Sequence, residues 1–313
     1  MSTVDDTVQR IRDRVAALGP GRWLLAVSGG MDSMVLLDAA SSAFDTDCLA
    51  VASFDHGTGP WATDAARLVA DVAARRGVRC VIGHARTVGR SESEWRAERW
   101  RFLRGTAEEL GARVATAHTA DDQLETIVIR ELRGAGPRGL AGLFASSPIA
   151  RPLLGTSRQE VAAYAKAARV VHANDPSNAD RKHLRNRVRH DLLPALERIV
   201  PGFGDSMMAV AKKAAVWRAQ MEALALTFPM MTESPDSHSF ERASLRRLPP
   251  DQLGCLWPAL AARAGVVLDR RGTERLAEFT IRGETGQQIQ LAGGIRVHME
   301  RRAITFRRVA ANG

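Results

Sequence analysis

Between Trp23 and Arg133 the chain alternates four times between a short apolar run and a longer stretch of helical periodicity, with little left over. Strands are expected at 23–27, 48–53, 78–82 and 112–117, and helices at 31–43, 62–76, 92–110 and 120–133. This order leaves few folds open. Strands joined by helical crossovers run parallel, and a parallel sheet is covered by helices on both faces, so the class is α/β. In such a sheet ligands gather beyond the carboxyl ends of the strands. Three loops meet at that edge: Ser28 to Ser33 after the first strand, Asp55-His56-Gly57 after the second, and His118 to Asp122 after the fourth.

The first of these loops lies in "WLLAVSGGMDSMVLLDAA", residues 23–40. Gly29 and Gly30 can adopt φ > 0 and let a ligand come close to the backbone. A helix starting at Met31 aims unpaired N–H groups and a partial positive charge at the turn, which is an anion site suited to phosphate. A plain turn capped by Ser28 or Asp32 is the competing reading. The string is neither G-x-x-x-x-G-K-[ST] nor G-x-G-x-x-G. Where the first of those motifs has a lysine this one has an acid, and Asp32 suits a Mg²⁺ ion held beside a pyrophosphate. Ser28, Gly29, Gly30, Met31, Asp32 and Ser33 are therefore the candidate nucleotide-binding residues.

At 313 residues the chain exceeds the usual size of one hydrophobic core, so a second domain is expected, with the boundary near 208/209. Cys48, Cys80 and Cys255 are scattered, without C-x-x-C or zinc spacing, which argues against disulfides and an iron–sulfur cluster. The first residues read as a polar helix with acids leading, and no apolar run reaches membrane-spanning length, so a cytoplasmic protein with no membrane partner is expected. A net charge of +9 points to a polyanionic partner. Nothing in the sequence fixes the oligomeric state, and a homodimer stays open.

Further along, "RGAGPRGLAGL" (133–143) is glycine-rich and reads as a mobile loop whose Arg133 and Arg138 are free for RNA phosphate. Ser157 and Glu160 form a capping-box pattern ahead of a helix. Leu184, Val188, Leu192 and Leu196 share a helical stripe, with Arg185 and Arg189 on a neighbouring face and a break expected at Pro194. A helix at 203–228 leads into "TESPDSHS", read as a loop or linker. From about 240 onward come two helical patterns and an alternating stretch around Gly293-Gly294, together a small α+β domain with a meander.

The motif Ser28-Gly29-Gly30-Met31-Asp32-Ser33, then Asp55-His56-Gly57, then "ATAHTADDQLETIVIRELRGAGPRGLAGL", Arg151-Pro152-Leu153-Leu154 and "DPSNADRKHLRNRVRHDLLPAL" together resemble the PP-loop ATP pyrophosphatases, and among them the tRNA(Ile)-lysidine synthetases. The likeness runs from about residue 22 to 205. It implies an adenine-nucleotide alpha hydrolase-like catalytic domain (1–208) and a helical linker with a small tRNA-contacting domain (209–313). It also implies ATP and Mg²⁺ as cofactors, with free L-lysine and a tRNA(Ile) bearing a CAU anticodon as partners. The reaction adenylates O2 of the anticodon cytidine, releasing pyrophosphate, and lysine then attacks C2 and AMP leaves. His56 and His118 would stand near the nucleotide and Arg185 matches the family's motif arginine. Two positions depart from the family pattern: Thr119 replaces a usual second histidine, and Thr58-Gly59-Pro60 replaces Leu-Arg-Pro.

That chemistry needs carboxylates, because free lysine enters as an ammonium that ordinarily titrates at about 10.4 and must lose a proton to attack. Asp121 and Glu125 fall at i and i+4 on one helix face, with Asp122 expected to point elsewhere. The plainer alternative is that Asp121 and Asp122 merely favour a helix N-terminus. Asp32, Asp121, Asp122, Glu125 and Arg185 are the catalytic candidates, Asp32 the metal candidate, and Arg133, Arg138 and Arg189 the RNA-contacting ones. A tRNA thiolase, an ammonia-using amidating ligase and a non-catalytic RNA-binding protein are the rival readings. Isolated cysteines argue against the first, high positive charge against the second, and intact acids beside RNA phosphate against the third.

Overall fold

The computed structural model describes residues 3–57, 59–85, 92–174, 180–234 and 237–308; Thr58 and residues 175–179, both within stretches singled out in the sequence, lie outside the described residues. Two compact units emerge. One draws on residues up to Thr126 and from Ser147 to Gly204, the other on Ile127–Ser146 and from Asp205 onward.

The first unit begins with α1 (Thr3–Ala16), followed by β1 (Trp23–Ala26), α2 (Met31–Ala43), β2 (Leu49–Asp55), α3 (Pro60–Arg75), β3 (Arg79–His84), α4 (Glu92–Glu109), β4 (Arg113–Thr116) and α5 (Ala120–Leu132). The four strands are parallel in the order β3-β2-β1-β4. Growth of the sheet therefore reverses beside β1, the position where an open parallel sheet opens a crevice at its carboxyl edge. Side chains of β1 alternate as a strand buried on both faces must. Trp23, Leu25 and Val27 pack with Ile11 and Val15 of α1 and with Val35 to Ala40 of α2, whereas Leu24 packs with Leu103 and Ala107 of α4. Ala150 then carries the sheet one bridge beyond β4, lying opposite Ala115: its carbonyl accepts from the Thr116 N–H and its N–H donates to the Val114 carbonyl.

The second unit receives the C-terminal half of α5. The stretch 133–143 is more regular than its glycines imply: α6 (Pro137–Leu140) and a 3₁₀ turn (Gly142–Phe144) occupy it, and Arg130 donates to the Gly139 carbonyl at 2.7 Å. In the first unit, α7 (Arg158–Ala167) carries the expected capping box between Ser157 and Glu160. Beyond it, α8 (Leu184–Arg187) passes through a π-helical turn (Val188–Leu192) directly into α9 (Leu193–Ile199). Pro194 thus does not separate two helices; the wider turn before it absorbs the missing N–H.

The rest of the second unit comprises α10 (Phe203–Thr227), β5 (Met230–Ser234), β6 (Ser237–Glu241), α11 (Arg242–Arg246), α12 (Pro250–Arg263), α13 (Arg270–Arg282), β7 (Gln288–Leu291), β8 (Ile295–Met299) and β9 (Ala303–Arg308). In "TESPDSHS" the described residues 232–234 and 237–239 are consequently paired strand, with Thr232 opposite Ser239, and not loop or linker; Pro235 and Asp236 lie outside the described residues. The pair is held because β6 pairs with β9, giving an antiparallel sheet in the order β5-β6-β9-β8-β7 with the expected meander at its far side. Trp257, Phe240 and Phe306 meet at ring distances of 5.6 to 6.1 Å in its core.

One buried polar knot ties the first unit together. Tyr164 of α7 donates to Asp38 Oδ2 of α2 at 2.7 Å, Asp38 Oδ1 pairs with Arg76 at the end of α3, and Arg12 of α1 donates to the Tyr164 hydroxyl at 3.4 Å. Burial and the Asp38 bond push the Tyr164 phenol up to about 12, so it stays a donor. Asp38→Ala strands both the phenol and the guanidinium, and is expected to cost about 3 kcal/mol in denaturant unfolding, against about 1 kcal/mol for Tyr164→Phe. Equal costs for the two variants would show that Arg76 does not depend on Asp38.

Candidate active site

Gly29 is required twice over. Its φ is +87°, and a Cβ there would lie 3.0 Å from both the carbonyl oxygen and the Cβ of Ala65 in α3. Its own carbonyl accepts from the Ala173 N–H at 2.9 Å. Ser33 closes the turn by donating to the Gly30 carbonyl at 2.8 Å and accepting from the Ser28 N–H at 3.2 Å. Gly30 is the N-cap of α2 and supplies no side-chain cap, so neither Ser28 nor Asp32 caps the helix. A helix start left this way presents its N–H groups and dipole to an anion.

Asp32 stands in the first turn of α2, and its Oδ1 is buried without a hydrogen-bond partner. Burial raises its carboxyl pKa to about 6; Arg158 opposes the rise most, Asp122 and Asp121 add to it, and Arg189 opposes it. These couplings place the turn after β1 and the start of α5 in one electrostatic site. An orphaned, dehydrated carboxylate oxygen fits a hard cation. Among the described residues no three or more His, Cys, Asp or Glu could hold a metal together, so a cation here would share Asp32 with its nucleotide.

At the start of α5, Thr119 is fully buried and is the helix cap. Its N–H and hydroxyl donate to Asp122 Oδ2 at 2.9 and 3.2 Å, leaving Asp122 Oδ1 for other partners. Asp122 therefore belongs to the site rather than pointing elsewhere. Asp121 Oδ2 accepts the backbone N–H of Arg158 at 2.6 Å. Glu125, 1% exposed, accepts hydrogen bonds from Arg189 Nε at 2.6 Å and Nη2 at 3.0 Å and from Arg158 Nη1 at 3.5 Å. Arg185 Nε stands 3.1 Å away as an ion pair without a hydrogen bond, its Nη2 donating to Thr126 Oγ1. Asp121 thus keeps one oxygen on a backbone N–H, whereas Glu125 is met by several guanidinium groups, because α8 and the π-helical turn after it bring Arg185 and Arg189 onto one carboxylate. Arg158 Nη2 and Arg189 Nη2 also approach Asp122 Oδ1, at 3.6 and 3.8 Å.

His118 Nδ1 shares a 2.8 Å bond with Thr116 Oγ1. Burial drives its pKa down to about 4, assisted by Arg151, Arg185 and Arg99 and opposed by Asp122, so the ring is neutral at pH 7. His56 is neutral too, its pKa lowered first by burial and then by Arg99; its Nδ1 is buried without a partner and its ring meets Phe54 edge-on at 4.9 Å. Asp55 holds that loop, accepting from the Gly57 N–H at 2.8 Å and from Thr63 Oγ1 at 2.9 Å.

Arg133 and Arg138 lie in the second unit. Arg133 is exposed, while Arg138 pairs with Glu222 at 2.9 Å, a carboxylate that Arg218 also holds at 2.9 Å, so Arg138 is not a free cation. Arg158 is the residue that sequence reading missed. Its position at the first residue of a capped helix gave no sign of chemistry; only the fold brings it to the acids of α5.

The sequence profile of the PP-loop domain matches residues 4–196. A tRNA(Ile)-lysidine synthase from Parasynechococcus marenigrum is 33% identical over 298 residues, covering 88% of this chain and 86% of the relative. The chain belongs to the tRNA(Ile)-lysidine synthase family. Relatives of the same description from Salinispora tropica (35% over 297 residues, 89% and 88% covered) and Novosphingobium aromaticivorans (36% over 244 residues, 74% of each) agree. Among solved structures, the U34-tRNA thiolase NcsA from Methanococcus maripaludis, with its [4Fe-4S] cluster, shares the fold at a TM-score of 0.54 and 16% identity, over 68% of this chain and 79% of the thiolase. In this lysidine synthase-family chain the nucleotide turn and the acidic start of α5 flank the reversal of strand order, and the PP-loop domain binds ATP.

Asp32→Asn tests the buried carboxylate. Its folded pKa lies above the unfolded value, so ionisation opposes folding: the penalty is absent below about pH 4, grows until about pH 6 and is complete above, on the order of 3 kcal/mol. The ligand-free variant should therefore melt higher than wild type at pH 7.5 and equally at pH 4. A variant that melts lower at pH 7.5 would mean that Oδ1 has a partner.

Proposed function

We propose that the chain joins L-lysine to C2 of cytidine 34 in the CAU anticodon of tRNA(Ile), through an adenylated cytidine. Membership of the lysidine synthase family supports the reaction, and the observation that carries it to residues is the pairing of an uncapped anion turn with a buried carboxylate cluster across the strand reversal. O2 of the cytidine attacks the α-phosphorus of ATP and pyrophosphate leaves; the lysine ε-nitrogen then attacks C2, and AMP departs with O2.

Ser28, Gly29, Gly30, Met31 and Ser33 offer backbone and hydroxyl donors to the departing pyrophosphate, where charge builds in the transition state. Asp32 would hold Mg²⁺, which when bound offsets the charge of the phosphates. Arg185 and Arg189 are oriented by Glu125, and guanidinium forks held in this way suit phosphate oxygens. His56 and His118, both neutral, offer hydrogen bonds without charge to the adenosine or the cytosine. Asp122 Oδ1, the carboxylate oxygen of α5 with only long-range partners, is the acceptor best placed for the lysine ammonium, with Glu125 beneath it.

The target base must leave its stack, at modest cost in an anticodon loop. A net charge of +9 and exposed Arg133 support phosphate contact with the tRNA, much of it in the domain beyond residue 208. Among the described residues no helix is long and apolar enough to cross a membrane, in keeping with work on cytoplasmic tRNA. A thiolase reading has less support, since the relatives of 33 to 36% identity are lysidine synthases while the thiolase shares the fold at 16% identity.

Incubation with ATP, radiolabelled lysine and bacterial tRNA should place label in a CAU-anticodon tRNA and release AMP and pyrophosphate in equal amounts. Asp32→Ala should abolish pyrophosphate release, a loss on the order of a hundredfold or more, with tRNA binding retained. ADP in place of AMP, or no label in any tRNA, would overturn the reading.

A further inference from the structure

Three arginines converge on Glu125, but they are not held alike. Arg189 makes a two-point fork at 2.6 and 3.0 Å and Arg185 stands at 3.1 Å, whereas Arg158 reaches Glu125 and Asp122 only at 3.5 and 3.6 Å. The Arg158 main chain is nonetheless fixed, its N–H bound to Asp121 Oδ2 at 2.6 Å in a capped helix. Arg158 is therefore a cation on an anchored backbone with a loosely held, part-exposed head. Its head stands 3.6 Å from Asp122 in the first turn of α5, the helix that follows β4, and β4 pairs with β1, the strand that leads into the nucleotide turn; its charge is felt at Asp32.

That location has two possible counter-ions. Without nucleotide, the carboxylates of Asp122 and Glu125 are the nearest anions. A triphosphate seated on the turn after β1 brings a larger negative charge to the other side of the same guanidinium, and arginine binds phosphate well. Moving the head from the acids to the phosphates would leave Asp122 Oδ1 with Arg189 alone, at 3.8 Å, and would clear one side of Glu125, at the place where a substrate ammonium is needed.

We propose that Arg158 orders the substrates: in the nucleotide-free chain its guanidinium occupies the seat on Asp122 and Glu125 that the lysine ammonium takes, and the triphosphate of ATP draws it away. Arg158 is thus a positioning residue that couples the two sites, and the inference rests on the placement of lysine proposed above. Lysine binds weakly before ATP and tightly after it. By linkage, lysine tightens nucleotide binding by the same factor.

The test is equilibrium dialysis of labelled lysine against the full chain, with and without α,β-methylene-ATP, which cannot release pyrophosphate. Wild type should bind lysine about tenfold tighter with the analogue. Arg158→Gln should bind lysine without the analogue nearly as well as wild type does with it, reducing the ratio to within about twofold. Arg158→Lys keeps a cation on the same backbone and should retain most of the coupling, a rescue that a purely structural role would not predict. Should Arg158→Gln fail to fold, the ratio in wild type and in Arg158→Lys still decides. No dependence on the analogue in wild type, an Arg158→Lys ratio collapsed to unity, or an unchanged ratio in Arg158→Gln each overturns the inference while leaving the lysine site in place. Absence of lysine binding under every condition overturns the lysine site itself, and the inference with it.

Discussion

Beside β1 the sheet stops growing in one direction and starts in the other, so the loop after β1 and the loop after β4 part to opposite faces and leave a crevice between them. The rest of the site depends on that reversal. Ser28 to Ser33 and His118 to Asp122 are far apart in the chain, yet β1 and β4 are hydrogen-bonded neighbours over Trp23 to Ala26 and Arg113 to Thr116. Both loops are followed by helices whose starts face the same edge, one uncapped and donor-rich, the other capped by Thr119 and lined with acids. A site with a donor wall and an acidic wall follows from topology before any side chain is chosen.

The electrostatics follow from how that crevice is filled. Glu125 is almost completely buried, and an unpaired carboxylate there would be strongly disfavoured. The fold answers with guanidinium groups from two separate segments, Arg158 at the start of α7 and Arg185 with Arg189 on the helix that passes through a π-turn. Asp32, by contrast, is left with a buried oxygen and no partner, and its carboxyl pKa rises accordingly. Glu125 therefore contributes to the assembly of the site, while Asp32 holds unspent binding capacity. A strained residue of this kind is expected where a ligand completes the structure.

Much of this was legible in the sequence because it is local. Strand and helix positions in residues 23–133 agree with their periodicity to within one or two residues, and the Ser157–Glu160 capping box needed only a four-residue pattern. The misread features are those that depend on distant partners. "TESPDSHS" looks like a loop until β9 offers β6 an edge to pair with. Arg138 and Arg189 look like free cations until Glu222 and Glu125 are brought to them. Arg158 carries no local signal at all. Residue type fixes what chemistry is available; which carboxylate stands opposite which guanidinium is decided by tertiary placement.

Thr119 shows how a departure from the family pattern can leave the reaction class untouched. In place of a second histidine the chain has a residue whose hydroxyl and N–H both fix Asp122 Oδ2, while its carbonyl accepts from the Gln123 N–H at 3.2 Å. The N-cap role is one that threonine performs well, worth about 1 kcal/mol to a helix. With Oδ2 held by two donors, the other oxygen of Asp122 is turned toward Arg158 and Arg189, so one carboxylate is aimed by a buried neighbour. His118 sits one residue earlier and keeps the ring that the site retains, bonded to Thr116 and neutral. Thr119 is itself fully buried, so its part in the site is to set the geometry of Asp122.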